Sequence, residues 1–200
     1  MMSRILSETE KEEFTIKEKD ASNLILKLVF PISLMLFICY YAIWKHQFEI
    51  ENIRHHVHGM SAVDLSLYCL YIVISILFGI VLHELLHGLT WVLCSNIGGF
   101  KSIKFGIIKE TLTPYCHCKA PLKRNSYILG IIMPAIVLGL VPILIGLSIG
   151  NILIYFFGYI FILVAMGDFM ITYYLLKHVS KSCSVQDHHS KIGFFIFKKV

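Results

Sequence analysis

The sequence predicts an all-α membrane protein of four transmembrane helices with a short cytoplasmic β-hairpin-like loop. Three observations carry that prediction. Of the 200 residues, 56% are hydrophobic and 16% charged, against roughly 45–50% and about 25% in ordinary globular chains. The charges are also bunched: 43 consecutive uncharged residues separate Arg124 from Asp168, with further uncharged runs of 17 at 28–44 and 18 at 65–82. A bilayer span takes about 20 mostly apolar residues at 1.5 Å each. Finally, four ionisable residues (His83, Glu84, His87 and Asp168) stand inside the predicted spans, away from their ends.

Residues 1–21 read as a polar cytoplasmic head with no apolar stripe, solvated, in which a helix stays open. Some 20 mostly polar residues before the first apolar run are too many for a cleaved secretory signal. The first span is 22–44, with Lys27 near enough to the surface to snorkel and Pro31 a potential kink. A polar loop with His46, Glu49, Glu51, Arg54, His55, His56 and His58 follows; its histidine cluster reads more simply as solvated than as metal-collecting. The second span, 62–94, opens at Ser61, and Asp64 three residues on makes a capping-box-like start. Its 33 residues would reach roughly 50 Å, more than the hydrocarbon core, so the helix projects or tilts.

Beyond it, Ile103, Phe105 and Ile107 alternate with Lys104 and Gly106, which predicts a short strand. Lys109-Glu110 turns the chain into a second strand over 112–118, where Pro114 allows only an edge position. The long uncharged tract must hold two spans, 125–149 and 152–176, turned at Gly150-Asn151. Pro134 and Pro142 interrupt the first of them, and the carbonyls they free need other partners within a membrane. Residues 177–200 are a basic cytoplasmic tail, whose 192–197 segment either lies in the membrane interface or folds back as a strand. The resulting division is head 1–21, transmembrane domain 22–176 and tail 177–200.

Lysines and arginines orient the chain. Four fall in the head (Arg4, Lys11, Lys17, Lys19), two in the first loop (Lys45, Arg54), six in the second, none in the third and five in the tail. Setting Lys27 aside, 15 lie on one side and two on the other, so both termini and the second loop are expected to be cytoplasmic, at the cell membrane. The net charge of +5 therefore marks topology, and no nucleic-acid partner is expected. The cysteines fall on the reducing side or within spans, which implies no disulfide framework. Cys116-His117-Cys118 is too short for common zinc spacings.

Ionisable residues in a bilayer are costly and read as functional. His83-Glu84-Leu85-Leu86-His87 is an HExxH motif on a helix. Histidines at i and i+4 share a face, so both imidazoles reach one zinc ion, and the adjacent Glu84 can approach water as general base. His83 and His87 lie 7–11 residues from the inner end of their span, and Asp168 about eight from the inner end of the last. Both are then on the order of 10–16 Å deep. The expected zinc ligands are His83, His87 and Asp168, with Glu84 catalytic and Gly167 allowing close helix approach. Buried polar residues that merely hold helices together are the blander alternative.

HELLHG in a membrane helix, with Gly-Asp on a later one, resembles the integral-membrane family of putative zincin peptidases, similar in layout to site-2-protease-like intramembrane zinc metalloproteases. The resemblance runs from about Ser61 to Leu176 and implies two histidine ligands, an aspartate ligand and a water-activating glutamate. The Gly-Asp-Phe-Met context of Asp168 departs from the site-2 pattern, in which a glycine follows the aspartate. The function expected is zinc-dependent intramembrane endopeptidase action on a membrane-anchored peptide or protein. The hairpin would hold substrate by strand addition, and Tyr115 and His117 are candidate oxyanion or substrate contacts. A metal-ion transporter and a non-catalytic membrane scaffold are the alternatives.

Overall fold

The computed structural model describes residues 9–52, 60–94, 99–109, 113–188 and 191–199. Arg4, Arg54, His55, His56, His58, Glu110, Leu112 and His189 lie outside the described residues. The molecule is mostly helical, with three helical segments long and apolar enough to cross a membrane, or four if one bent pair counts as a span.

Strand β1 (Thr9–Thr15) precedes α1 (Glu18–Trp44), which stays one continuous helix through Pro31. Helix α2 (Ala62–Cys94) begins with the expected capping box. The Ser61 N–H donates to Asp64 Oδ2 at 3.0 Å, and the Asp64 N–H to Ser61 Oγ at 3.2 Å. Large apolar side chains stand exposed along both helices, among them Phe30, Phe78 and Leu93. Helices apolar on nearly every side, yet this little covered by protein, match a lipid surround.

The hairpin forms as β2 (Ile103–Ile108) and β3 (Thr113–Cys118), antiparallel, with Ile103 opposite Cys118. Two-residue β4 (Leu122–Lys123) leads into α3 (Arg124–Pro134), a π-helical stretch over Ala135–Leu140, and α4 (Val141–Ile149). The π turns lie between Pro134 and Pro142, whose missing N–H groups break the α-helical ladder. Gly150 then adopts φ 70°, and the Asn151 side chain accepts from the Leu153 and Ile154 N–H groups. That is the tight turn expected between the third and fourth spans.

The segment expected as the fourth span departs from expectation. It is two helices, α5 (Ile152–Val164) and α6 (Met166–His178), bent by 47° at Ala165. The head and tail depart further, so the class is not all-α. β1, the tail strands β5 (Ser184–Asp187) and β6 (Gly193–Lys199), and β4 form one antiparallel sheet in the order β1-β6-β5-β4. The folded-back alternative for 192–197 therefore holds.

Sheet and helices meet in a core around Trp91, Tyr127, Leu175, Val185 and Phe194. At the other end α1 is tied to the α4–α5 turn: Trp44 Nε1 donates to the Leu147 carbonyl at 2.8 Å and Gln47 Nε2 to that of Gly150 at 2.8 Å.

Candidate metal centre

His83 and His87 are one turn apart on α2, and both are buried. The bend before α6 puts Asp168 in the first turn of that helix, where the helix dipole favours a carboxylate. The two elements converge as the depth argument expected. His83 Nε2 lies 3.1 Å from Asp168 Oδ2, and His87 Nε2 lies 3.7 Å from Asp168 Oδ1. His83, Glu84 and His87 offer ligand atoms all within 4.8 Å of one another.

Hydrogen bonding leaves this cluster partly unspent. Among the described residues, three buried side-chain polar atoms have no hydrogen-bond partner, and two are His83 Nδ1 and Asp168 Oδ2; the third is Thr172 Oγ1, a turn after Asp168. The 3.1 Å approach of Asp168 Oδ2 to His83 is thus an ion-pair distance without hydrogen-bond alignment. An orphaned carboxylate oxygen is expensive in a water-poor interior, and Asp168 Oδ2, beside His83 Nε2, is placed to serve a cation. Two imidazoles and a carboxylate are a donor set that suits zinc.

His87 is held from behind. Its Nδ1 lies 2.9 Å from the Gly130 carbonyl, the outer-shell bond that metal-ligating histidines usually make. Its ring stacks on Trp91, and Trp91 stacks on Tyr127, with centroids 5.7 and 5.5 Å apart.

The hairpin reaches the site through Gly88, the glycine of HELLHG. A Cβ there would lie 2.6 Å from the Phe105 ring and 3.2 Å from Cys116 Sγ, so only glycine lets β2 and β3 pack this closely on α2. The contact brings the Cys116 backbone N–H to the Glu84 carboxylate. Gly167 does not serve the expected helix approach: a Cβ there would meet nothing within 4 Å, so it faces open space beside Asp168.

Tyr115 and His117 line a cavity of about 650 Å³ with Cys116, Lys104, Lys119 and Asp187. His117 Nδ1 is 3.7 Å from Asp187 Oδ2. Asp187 is the functional-looking residue that sequence reasoning missed. Its Oδ2 accepts from the Cys118 N–H at 2.7 Å and its Oδ1 from the Tyr127 hydroxyl, joining β3 to α3. Burial pushes its carboxyl above the usual range. Burial likewise raises the thiols, that of Cys118 to about 11, so Cys116 and Cys118 stay protonated near neutrality. All six cysteines are free.

An HExxH group on an apolar helix is the hallmark of a zincin-type metallopeptidase. A family model described as "Putative zincin peptidase" matches residues 76–183, more than half of the chain, and the protein belongs to that family. The family and the His83-Glu84-His87 cluster suggest zinc, and a peptidase implies a protein substrate. No curated protein and no solved structure matches the chain.

Proposed function

We propose that the protein is a zinc-dependent intramembrane endopeptidase, hydrolysing a peptide bond in a membrane-anchored protein or peptide near the cytoplasmic face. The observation that carries this reading is the meeting of His83 and His87 with Asp168, more than 80 positions later in the sequence, beside Glu84. His83, His87 and Asp168 are the ligands. Zinc, when bound there, supplies a Lewis acid that polarises the scissile carbonyl and acidifies water.

The chain's own groups do the rest. Glu84 takes a proton from the attacking water on a carboxylate oxygen and passes it to the leaving amine. Gly130 and Trp91 hold the His87 ring in place. Tyr115 and His117 stand on β3 in a cavity whose lining includes none of His83, Glu84, His87 or Asp168, which supports a role for them in contacting the substrate chain more than the developing oxyanion. The hairpin holds the unwound substrate as an added strand. On this reading the protein crosses the membrane four times, α5 and α6 together forming the last span, with both termini cytoplasmic.

Zinc analysis of purified protein tests the ligands. Wild type is expected to carry about one zinc per chain and the His83→Ala/His87→Ala double variant almost none; unchanged zinc in the variant overturns the assignment. Glu84→Gln is expected to keep its zinc and lose on the order of 10²-fold or more in cleavage of a membrane-anchored reporter. Cleavage at the normal rate by that variant removes Glu84 as the base.

A further inference from the structure

Proline has no N–H, so within a helix it deprives the carbonyl four residues earlier of its donor. Pro134 ends α3, and the carbonyl it deprives is that of Gly130. The next N–H along, that of Ala135, goes to the Ile132 carbonyl instead. Gly130 oxygen is therefore open, and the atom that meets it is His87 Nδ1, at 2.9 Å in a buried contact. The approach depends on glycine as well, because a Cβ at Gly130 would overlap the Trp91 indole.

A carbonyl only accepts, so this bond forms only with a proton on Nδ1. In the neutral ring that leaves the lone pair on Nε2, the nitrogen that faces Asp168. We infer that Pro134 is a positioning residue for the metal centre: by freeing the Gly130 carbonyl it selects the His87 tautomer and aims Nε2 at the site. The inference rests on the proposal that His87 is a zinc ligand. It also gives the proline break a function. In a bilayer the unpaired carbonyl must find a donor inside the protein, and here the donor is an HExxH histidine.

The test uses the full chain in detergent or nanodiscs, with zinc affinity read by chelator competition and metal-free stability by thermal unfolding. Pro134→Ala restores an N–H that competes for the Gly130 carbonyl. It is expected to leave the metal-free protein folded with a cooperative unfolding transition, while zinc affinity falls about 10–100-fold. Pro142→Ala is the control: it restores an N–H at the end of the π-helical stretch packed on α5, and should leave affinity within about twofold.

Wild-type affinity in Pro134→Ala, or an equal loss in Pro142→Ala, overturns the inference. A second measurement needs no variant. Nitrogen-15 spectra of histidine in the metal-free wild type should show His87 protonated at Nδ1, and protonation at Nε2 instead overturns it. Failure of the underlying ligand assignment shows separately, as unchanged zinc binding in the His83→Ala/His87→Ala protein.

Discussion

Asp187 belongs to the tail by sequence and to the site region by contact. Its two oxygens serve the Tyr127 hydroxyl and the Cys118 N–H, and Tyr127 begins the aromatic stack that ends on His87. Asp187→Ala strands both donors inside the protein, at a cost of about 1–3 kcal/mol each. Unfolding of the variant against wild type should show that loss.

Its titration gives a second readout. Burial raises the folded-state carboxyl above its ordinary value of 3.8. Above about pH 4 the unfolded chain releases this proton while the folded protein keeps it, so the folded state binds more protons and stability falls as pH rises. The contribution is fully expressed once pH passes the folded-state value. Asp187→Asn should flatten that slope; a wild-type slope in the variant would assign it elsewhere.

Among the elements, the turns and breaks set where chemistry can occur. Gly150 sits at φ 70°, and a Cβ there would also lie 2.6 Å from the Trp44 ring. Gly150→Ala therefore meets both backbone strain and a collision, and should destabilise by about 1 kcal/mol or more, seen as a lower unfolding midpoint. Zinc binding at the metal centre, which lies away from this turn, should survive where the protein stays folded. The 47° bend between α5 and α6 has the opposite location and effect. It gives Asp168 a helix start to sit in, facing His83 and His87 across the gap to α2.

At the scale of the molecule, the four-stranded sheet decides which segments share a side. It hydrogen-bonds the head (β1), the end of the second loop (β4) and the tail (β5, β6), so all three stand at one end of the helices. The lysine and arginine bias calls for the same grouping. Single cysteines labelled with a membrane-impermeant maleimide, in a cysteine-free background, test it. Positions 104, 181 and 191 should label from the cytoplasmic side and positions 45 and 49 from the opposite one. Labelling of 45 and 181 from the same side would refute the four-span arrangement.

Much of this protein is local in its causes and so could be read along the chain. Apolar length marks a span whatever the span packs against, and Ser61 with Asp64, Gly150 with Asn151, and alternation at 103–107 each act over a few residues. HExxH is local too, because one helical turn brings His83 and His87 together. Pro134 announced a freed carbonyl four residues back, but only packing could say which donor meets it.

The rest depended on contacts between distant parts of the chain. β1 is mostly charged and carries little apolar pattern; it becomes a strand because β6 pairs with it 180 residues later, with Glu12 and Lys198 in contact at 2.5 Å. Asp187 stands in no motif, and burial against Tyr127 and Cys118 gives it importance. Gly167 has the composition of a close helix contact, yet nothing packs on it. Sequence by itself pointed to the apolar helices long enough to cross a membrane and to the His83-Glu84-His87 cluster, since those follow from hydrophobicity and helical period. Tertiary structure alone decided what stands behind His87, what meets Asp168 and what encloses the cavity, because those are properties of surfaces brought together by folding.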